Sequence, residues 1–351
     1  MTTVPIHTID NLISQLPKAE LHVHIEGTFE PELILEIAER NSIKLPYPSA
    51  EALRQAYKFH NLQSFLDLYY AGMSVLRTEQ DYYDLANAYF ARARQQNVVH
   101  TEIFFDPQAH LERGVKFEIV IEGLWEAVKA SKKRFGISSK LIMCFLRDLS
   151  AESAMETLEM SLSYRDRIVA VGLDSAERGN PPAKFSNVFA RARAEGYLTV
   201  AHAGEEGPPE YIWEALDVLQ VSRIDHGVRS LEDSRLVRHL VDNQVPLTVC
   251  PLSNVKLRVF DKLHDHNLKE MLDLGIRATI NSDDPAYFGG YVEDNYLSVS
   301  DALSLTRSDI LSLAENSFLS AFLDPDERRL YLDLLHAVAT PLKARKSDDS
   351  D

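Results

Sequence analysis

The sequence predicts an α/β protein, a (β/α)8 TIM barrel with a helical lid inserted after the first strand and extra C-terminal helices. Eight short apolar runs with strand character alternate with helical segments along the chain. Eight such units favour a closed barrel over an open doubly wound sheet, which usually has fewer strands and a glycine-rich phosphate turn. Histidine or acidic residues stand at the ends of four runs, where barrel enzymes carry their chemistry.

The composition is typical of a soluble globular protein, with 351 residues of which 45% are hydrophobic. Acidic residues outnumber basic ones by 53 to 37, and the resulting net charge of -16 argues against nucleic acid and anionic membranes as partners. The sequence contains no signal-peptide pattern and no apolar run of membrane-spanning length. Cys144 and Cys250 both lie in apolar runs, so we expect a cytoplasmic protein without disulfides.

The first predicted strand covers residues 20–27 and reads ELHVHIEG, an alternation that places His22 and His24 on one face. A helix that begins at Pro31 follows it. The chain then has helical character as far as residue 96. Long connections near a site are often lids, so we expect a helical lid over about residues 45–96, with His60 in it.

From residue 98 onwards the sequence repeats a strand and a helix. The predicted strands cover 98–110 with an exit loop, 139–146, 168–175, 197–204, 223–227, 245–254 and 277–285, and the predicted helices cover 116–134, 151–164, 182–196, 209–220, 230–243, 268–275, 302–320 and 325–342. Residues 1–343 are therefore expected to form a single barrel domain. The charged tail, residues 344–351, is expected to be flexible.

Four side chains at strand ends form a set of zinc-type ligands. His22 and His24 come from the first strand, His202 from the motif AHAGEE after the fifth, and Asp283 from NSDDP after the eighth. A catalytic zinc takes nitrogen and oxygen ligands and keeps one position open for water, whose pKa it lowers toward about 7. We therefore predict one Zn²⁺ per chain.

Three further residues are predicted to act beside the metal. Glu205 follows His202 by three positions and can reach a substrate atom near the metal as a general acid. His226, at the end of the sixth strand, would hydrogen-bond the attacking hydroxide or stabilise developing charge. Asp284 diverges from Asp283 and would face the edge of the ligand; its alternative role is a cap on the following loop.

Other histidines have weaker patterns. His264 and His266 form an HxH pair that follows a charged loop and precedes a helix, so we expect a helix cap there rather than a metal site. His100 and His110 flank the second strand and are expected to line the pocket or to face solvent.

The motifs PKAELHVHIEG, AHAGE, DHG and NSDDP, in this order over roughly residues 15–335, resemble the adenosine/adenine deaminase branch of the metal-dependent amidohydrolases. The resemblance implies a (β/α)8 barrel, one zinc ion, and hydrolytic deamination at C6 of a purine. It implies zinc on the four ligands above, Glu205 as proton donor to N1, His226 as the residue that orients or assists the hydroxide, and Asp284 as the partner of N7. The fourth strand lacks the lysine that bridges two metals in some relatives, which favours a single metal.

Two departures from the adenosine-specific pattern favour the free base. The first strand ends in HIEG, with Glu26 in place of an aspartate that contacts ribose, and the turn after the fourth strand reads LDSAERGNPP instead of LAGDE. Both resemble the adenine deaminase subgroup. A longer carboxylate at Glu26 would also intrude on the space that a sugar needs. Phe65, Leu66 and Tyr69 stand where the family packs an apolar helix over the purine, and they are equally suited to a helix core.

The expected function is the hydrolysis of adenine, a small purine base, to hypoxanthine and ammonia in purine salvage. The alternatives are an adenosine deaminase, a deaminase of N6-substituted adenines, and a non-enzymatic metal-binding barrel. Glu205 argues against the last of these, because a pure binding protein has no use for a proton donor there. The sequence does not decide the oligomeric state.

Overall fold

A computed structural model describes residues 8–59 and 62–339, and the strands of that part of the chain form one parallel barrel in sequence order. His60 and the tail, residues 344–351, lie outside the described residues. The strands are β1 (Lys18–His24), β2 (Val98–Phe105), β3 (Ser138–Leu146), β4 (Ile168–Asp174), β5 (Leu198–Ala203), β6 (Arg223–His226), β7 (Leu247–Val249) and β8 (Ala278–Ile280). The predicted (β/α)8 architecture is confirmed.

The ring closes between β8 and β1 through the segment that carries Asp283. The backbone N–H of His24 donates to the carbonyl oxygen of Asp283 over 3.0 Å. The N–H of Asp283 donates to the carbonyl oxygen of His22 over 3.1 Å. Closer to the start of β1, the N–H of Leu21 donates to Oδ1 of Asn281 at 2.8 Å. Backbone pairing across this seam therefore holds side chains from the two ends of the chain together.

The helices surround the barrel and cover its mouth. They are α1 (Ile9–Gln15), α2 (Pro31–Arg40), α3 (Ala50–Ala56), α4 (Leu62–Met73), α5 (Glu79–Gln95), α6 (Pro107–Leu111), α7 (Phe117–Phe135), α8 (Ala151–Ser161), α9 (Ser186–Ala194), α10 (Pro209–Glu214), α11 (Ser234–Asp242), α12 (Pro251–Lys256), α13 (Leu268–Asp273), α14 (Pro285–Phe288), α15 (Val292–Ala302), α16 (Arg307–Ser320) and α17 (Pro325–Ala339). None of the helices in the described ranges is long and apolar enough to cross a membrane.

The helices after β8 differ from the sequence expectation. A helix was expected from about residue 302, but α15 ends there and α16 begins at Arg307. A capping box sets this start: the N–H of Asp309 donates to the Thr306 hydroxyl at 3.2 Å, and the Asp309 carboxylate accepts the Thr306 N–H at 2.8 Å. The helix α15 itself was not predicted. It also begins with a capping carboxylate, because Asp294 accepts the backbone N–H of Tyr291 at 2.8 Å.

The helices of the expected lid divide into two groups. α5 packs against α7, and the Tyr89 hydroxyl on it lies 2.5 Å from Oε2 of Glu20 and 2.9 Å from Oγ1 of Thr101. Because these contacts are with strands β1 and β2, α5 belongs to the outer helical layer of the barrel. Among the described residues of this insertion, those that reach the cavity at the barrel mouth lie on α4.

Candidate active site

Side chains from β1, β5 and the segment after β8 meet above the carboxyl end of the barrel. Nε2 of His24 lies 3.2 Å from Nε2 of His202 and 3.5 Å from Oδ1 of Asp283, and Nε2 of His22 lies 3.4 Å from that same oxygen. All four side chains are buried. The structure therefore brings together the four residues that the sequence predicted as metal ligands.

Hydrogen bonds fix which nitrogen of His22 carries the proton. The Thr248 hydroxyl donates to Oδ1 of Asp225 at 2.8 Å, so its oxygen accepts from Nδ1 of His22 at 2.9 Å. Nε2 of His22 is consequently left with a lone pair, and that atom has no hydrogen-bond partner among the described residues. A buried imidazole nitrogen without a partner, aimed at a carboxylate, is what a metal ligand requires.

The other two imidazoles have carboxylates behind them, at distances longer than those of a good hydrogen bond. Nδ1 of His202 faces Oδ2 of Asp225 at 3.7 Å, and Nδ1 of His24 faces Oδ2 of Asp174 at 3.5 Å. A carboxylate behind a ligand imidazole favours a proton on the nearer nitrogen and leaves the other nitrogen for the metal. Three Nε2 lone pairs thus point at one volume beside Asp283.

His226 has the opposite tautomer. The N–H of Leu268 donates to Nδ1 of His266 at 3.1 Å, so Nε2 of His266 carries the proton that reaches Oδ1 of Asn254 at 3.2 Å. The amide nitrogen of Asn254 then donates to Nδ1 of His226 at 3.3 Å. Since the first donor is a backbone N–H, the direction of the whole relay is set. Nε2 of His226 therefore carries a proton and faces the site as a donor.

This tautomer separates two possible ligand sets. The potential ligand atoms of His22, His202, His226 and Asp283 lie within 4.8 Å of one another, so distance alone would admit His226 in place of His24. A protonated nitrogen has no lone pair for a metal, whereas Nε2 of His24 has one. The tautomers therefore favour the predicted set, with His24 as a ligand and His226 beside it.

The local backbone and the burial of the site both support this arrangement. His226 and Asp283 have positive φ angles of 65° and 64°, a sparsely populated region that is found in strained functional sites. Burial lowers the pKa of His24 to about 4, lowers that of His226 to about 3 and keeps that of His202 well below its usual value. Burial opposes ionisation of Asp283, but His22 holds its pKa well below the ordinary range. Burial thus favours the neutral form of these three imidazoles. For His22, burial is outweighed by the charges of Asp283 and Asp225, which raise the pKa, so a metal ion would compete with a proton for this imidazole.

Glu205 lies at the edge of this cluster. Its Oε2 is 3.6 Å from Nε2 of His226, and its Oε1 has no hydrogen-bond partner within the described part of the chain. Burial, followed by the charges of Asp283 and Glu177, raises the pKa of Glu205 well above its ordinary value. The carboxyl group is therefore held in its protonated form, which is suited to a proton donor.

The turn that carries Glu205 is held by the carboxylate of Glu177. One oxygen of Glu177 accepts the N–H of Gly204 at 2.7 Å, and the other accepts those of Glu205, Glu206 and Gly207 at 3.1, 2.8 and 2.7 Å. Four hydrogen bonds to one buried carboxylate restrain the backbone of this turn strongly. Glu177 thus fixes the position of Glu205 and contributes to its raised pKa.

Asp284 faces the cavity instead of capping the following helix. Its Oδ1 has no hydrogen-bond partner among the residues described, and burial followed by Asp283 raises its pKa well above normal. Gly27 makes room for it, because a Cβ at that position would lie 1.9 Å from Oδ1 of Asp284. The side chain of Asp284 makes no capping hydrogen bond to α14 and lines the cavity, so the alternative role as a cap is not observed, and its predicted contact with the ligand stays a prediction.

The cavity over the cluster has an apolar side and a polar side. The apolar side includes Phe65, Leu66 and Tyr69 of α4, so the residues predicted to cover a purine line the cavity. The space enclosed between them and the polar groups is small, with a cavity volume of about 40 Å³.

Glu26 lies behind the cavity wall and is not among the described residues that line it. Its Oε1 accepts the backbone N–H of Asp106 at 3.2 Å and lies 2.8 Å from Nε2 of His110. His110 and His100 are both fully buried, and neither lines the cavity within the described ranges, so both expectations for them were wrong. His100 lies against Ser138 and Glu102 instead.

The HxH pair near α13 behaves as expected. Nδ1 of His266 accepts the N–H of Leu268, the first residue of α13, and so caps this helix. His264 is exposed and lies 2.9 Å from Asp265. The sequence did not reveal that His266 also connects, through Asn254, to His226.

The sequence analysis also missed two acids of the cavity wall. Asp106 follows β2 and Asp174 ends β4, and both are buried. Burial raises the pKa of both groups, that of Asp174 to about 7, and their proximity raises that of Asp106 further. They could have been found by the rule that selected the other residues, an acid at the carboxyl end of a barrel strand.

Comparison with known proteins agrees with this geometry. The family model described as adenosine deaminase matches residues 17–338. An adenine deaminase of Acinetobacter baylyi is 59% identical over 327 residues, which cover 93% of this chain and 98% of that protein. The crystal structure of an adenine deaminase from Arthrobacter aurescens superposes with a TM-score of 0.91 at 53% identity and covers 92% of this chain and 98% of that one.

A more distant structure supports the fold alone. An amidohydrolase from Burkhoderia ambifaria, solved with bound Zn, has a TM-score of 0.86 at 23% identity, and the match covers 96% of each chain.

The family model spans most of the sequence, and the match to a 59% identical relative covers 93% of this chain. This chain therefore belongs to the adenosine deaminase family.

Proposed function

We propose that this protein catalyses the hydrolysis of adenine to hypoxanthine and ammonia at a site that holds one zinc ion. The observation that carries the proposal is a buried Glu205, whose pKa burial raises well above its ordinary value, beside three imidazoles whose Nε2 atoms converge on Asp283. The named relatives that are 53% to 59% identical to this chain are adenine deaminases, which supports adenine as the substrate.

The proposed zinc ligands are His22, His24, His202 and Asp283. Three imidazole nitrogens and one carboxylate form a set that suits zinc, and Nε2 of His22 has no hydrogen-bond partner in the described ranges. Bound there, zinc lowers the pKa of a coordinated water toward about 7 and so makes a nucleophile available at neutral pH.

The proposed catalytic residues are Glu205 and His226. Glu205 donates its proton to N1 of adenine, which makes C6 more electrophilic as the water oxygen adds there. Of the two protons that the water loses, one restores Glu205 and the other converts the departing amino group to ammonia. Nε2–H of His226, oriented by the Asn254 relay, donates a hydrogen bond to the adding oxygen and directs it toward C6. Asp284 pairs with N7 and holds the ring in plane with these groups.

Glu26 is proposed to favour the free base by an indirect contact. Its carboxylate does not reach the cavity wall, but it holds the backbone of Asp106, which does. We also propose a cytoplasmic location, because Cys144 and Cys250 are both buried and unpaired.

The test compares three substrates with the purified, zinc-loaded protein. Adenine, adenosine and 6-methylaminopurine are incubated separately, and the ultraviolet change and amine release are followed. We expect rapid turnover of adenine, with hypoxanthine as product. Turnover of adenosine without adenine would transfer the proposal to the nucleoside, and turnover of 6-methylaminopurine alone would transfer it to N6-substituted bases. If none of the three reacts, the barrel serves as a binding protein.

A further inference from the structure

Two buried carboxyl groups in the cavity have no role in the proposed reaction. Asp106 and Asp174 are 3% and 2% exposed, and both line the cavity. Oδ1 of Asp106 and both carboxylate oxygens of Asp174 lack a hydrogen-bond partner in the part of the chain that is described. Burying such groups without a partner costs free energy, so the pair is expected to meet a donor from a ligand.

The position of the pair in the barrel shows which part of a substrate it meets. In the ring of eight strands, β2 lies across from β6, and β4 lies across from β8. Asp106 and Asp174 therefore stand at the ends of strands opposite those of His226 and Asp284, and their carboxylates lie within 4.8 Å of a ring nitrogen of His24. A purine with C6 at the catalytic cluster, N1 at Glu205 and N7 at Asp284 directs its opposite edge, which contains N3 and N9, toward the pair.

The chemistry of the free base supplies the missing donor. Adenine with N7 free carries a hydrogen on N9, whereas a nucleoside has a glycosidic bond in the same place. Whichever carboxyl group of the pair holds a proton, an oxygen remains that accepts this N–H. Asp174 faces the proposed metal ligand His24, with its Oδ2 3.5 Å from Nδ1, so we take Asp106 as the acceptor.

We propose that Asp106 is a specificity-determining residue whose carboxyl group accepts the N9–H of a free purine base, so that purines substituted at N9 are rejected. This inference rests on the proposed function and adds the group that recognises the substrate class. Oε1 of Glu26 holds the backbone N–H of Asp106 at 3.2 Å, so the two residues act in sequence, Glu26 by positioning and Asp106 by contact.

The experiment measures kcat/KM for adenine and for 9-methyladenine, with zinc content per chain, in the wild type and three variants. Asp106→Leu keeps the side-chain size and removes the acceptor, and Asp106→Asn keeps one acceptor oxygen. Asp148→Asn is the matched control, because it makes the same charge change at an exposed residue after β3.

We expect the wild type to prefer adenine over 9-methyladenine by at least about 10³-fold, as in sites built to hydrogen-bond a substrate N–H. Asp106→Leu should lower kcat/KM for adenine by roughly 10- to 100-fold and leave that for 9-methyladenine almost unchanged, because the methylated base has no N–H to lose. The preference should fall by the same factor. Asp106→Asn should lose less, and the control variant should match the wild type.

Several outcomes would overturn the inference. An unchanged preference in Asp106→Leu would mean that 9-methyladenine is excluded by size alone. Two metal ions per chain in the wild type and one in Asp106→Leu would mean that the pair binds a cation. Equal turnover of both bases by the wild type would refute the inference and leave the proposed function intact, whereas failure of the wild type on adenine would refute the proposed function itself. If Asp106→Leu does not fold, the inference is tested by the preference of the wild type for adenine over 9-methyladenine and by the decrease of that preference in Asp106→Asn.

Discussion

The side-chain amide nitrogen of Asn254 lies 3.3 Å from Nδ1 of His226 and donates a hydrogen bond to it. This single contact decides whether the imidazole presents an N–H or a lone pair to the site. Because metal ligation needs a lone pair and stabilisation of an oxyanion needs a donor, the contact also decides which of two roles His226 has. Asn254 therefore acts on the reaction through His226 and has no direct contact with substrate or metal in the proposed mechanism.

Reversing the polarity of this contact should impair the reaction and leave the fold intact. Asn254→Asp keeps the size of the side chain but accepts a hydrogen bond, so the proton of His226 moves to Nδ1. We expect kcat to fall about 10²-fold or more while KM changes little, as for the loss of one preorganised donor. Steady-state kinetics and circular dichroism test this. Asn243→Asp, at an exposed helix end, is the matched control, and unchanged kcat in Asn254→Asp would contradict the relay.

Removing the proton donor should separate chemistry from metal binding. Glu205→Gln keeps the shape of the side chain and cannot transfer a proton to N1. We expect kcat to fall about 10²- to 10⁴-fold, the range for loss of a general acid, with zinc content unchanged. Elemental analysis and single-turnover assays measure the two quantities. Glu210→Gln, an exposed neighbour, should behave as the wild type. A variant that stays active would assign the acid role to another residue.

Glu177 should control both the stability of the turn and the pH range of activity. Glu177→Gln replaces a carboxylate that accepts four backbone N–H groups, so we expect unfolding to become easier by roughly 1.5–3 kcal/mol. Its negative charge also helps to raise the pKa of Glu205. Since Glu205 must be protonated, activity falls as pH rises through that pKa, and the variant should lose activity at lower pH than the wild type. A pH profile of kcat/KM and urea titrations test this, with Glu112→Gln as control; an unshifted alkaline limb would contradict the electrostatic part.

Gly27 should be intolerant of even one methyl group. In Gly27→Ala the new Cβ would lie 1.9 Å from Oδ1 and 2.6 Å from Cα of Asp284, so the segment after β8 must shift. We expect a KM for adenine raised by about 10-fold or more, because a small displacement of a positioning group costs much of the binding geometry. Gly179→Ala is a control without a steric clash, since its Cβ would meet no atom within 4 Å among the described residues; its φ of 80° is strained for alanine, so it should lower stability and leave KM unchanged. Wild-type kinetics in Gly27→Ala would show that Asp284 does not contact the substrate.

Removing the metal should lower stability as well as activity. Binding to the folded state alone stabilises it by RT ln(1 + [L]/Kd), about 2.7 kcal/mol at a free zinc concentration of 100 Kd. We therefore expect a chelator to lower Tm and abolish turnover, and zinc to restore both. Thermal scans of His202→Ala provide the control, since chelation should change its Tm much less. Full activity in the metal-free protein would exclude the proposed zinc site.

The sequence was sufficient for the barrel and for the residues that converge on its mouth. Strand periodicity located His22 and His24, and the position of Asp283 followed from the strand count. The sequence was insufficient where function depends on the orientation of backbone N–H groups. Glu177 accepts N–H groups that lie 27 to 30 residues away, and residue types do not reveal such a contact.

Other errors came from patterns that fit two structures. The run VPLTVCPLSN was read as one long strand, which hid Asn254 in α12. The helix α5 was assigned to the lid because it lies in a long connection between two strands, and the sequence does not show which neighbour its apolar face covers. Tyr89 on that face contacts Glu20 and Thr101 of the barrel wall.

The seam between β8 and β1 has a consequence for how the protein matures. His22 and His24 leave the ribosome early, whereas Asp283 is among the last fifth of the chain to be made, and its backbone pairs with theirs only once the ring has closed. At the proposed metal site a nascent barrel therefore lacks the Asp283 ligand, and full binding of an ion would follow ring closure. A chain truncated before residue 283 is expected to bind zinc more weakly than the full chain.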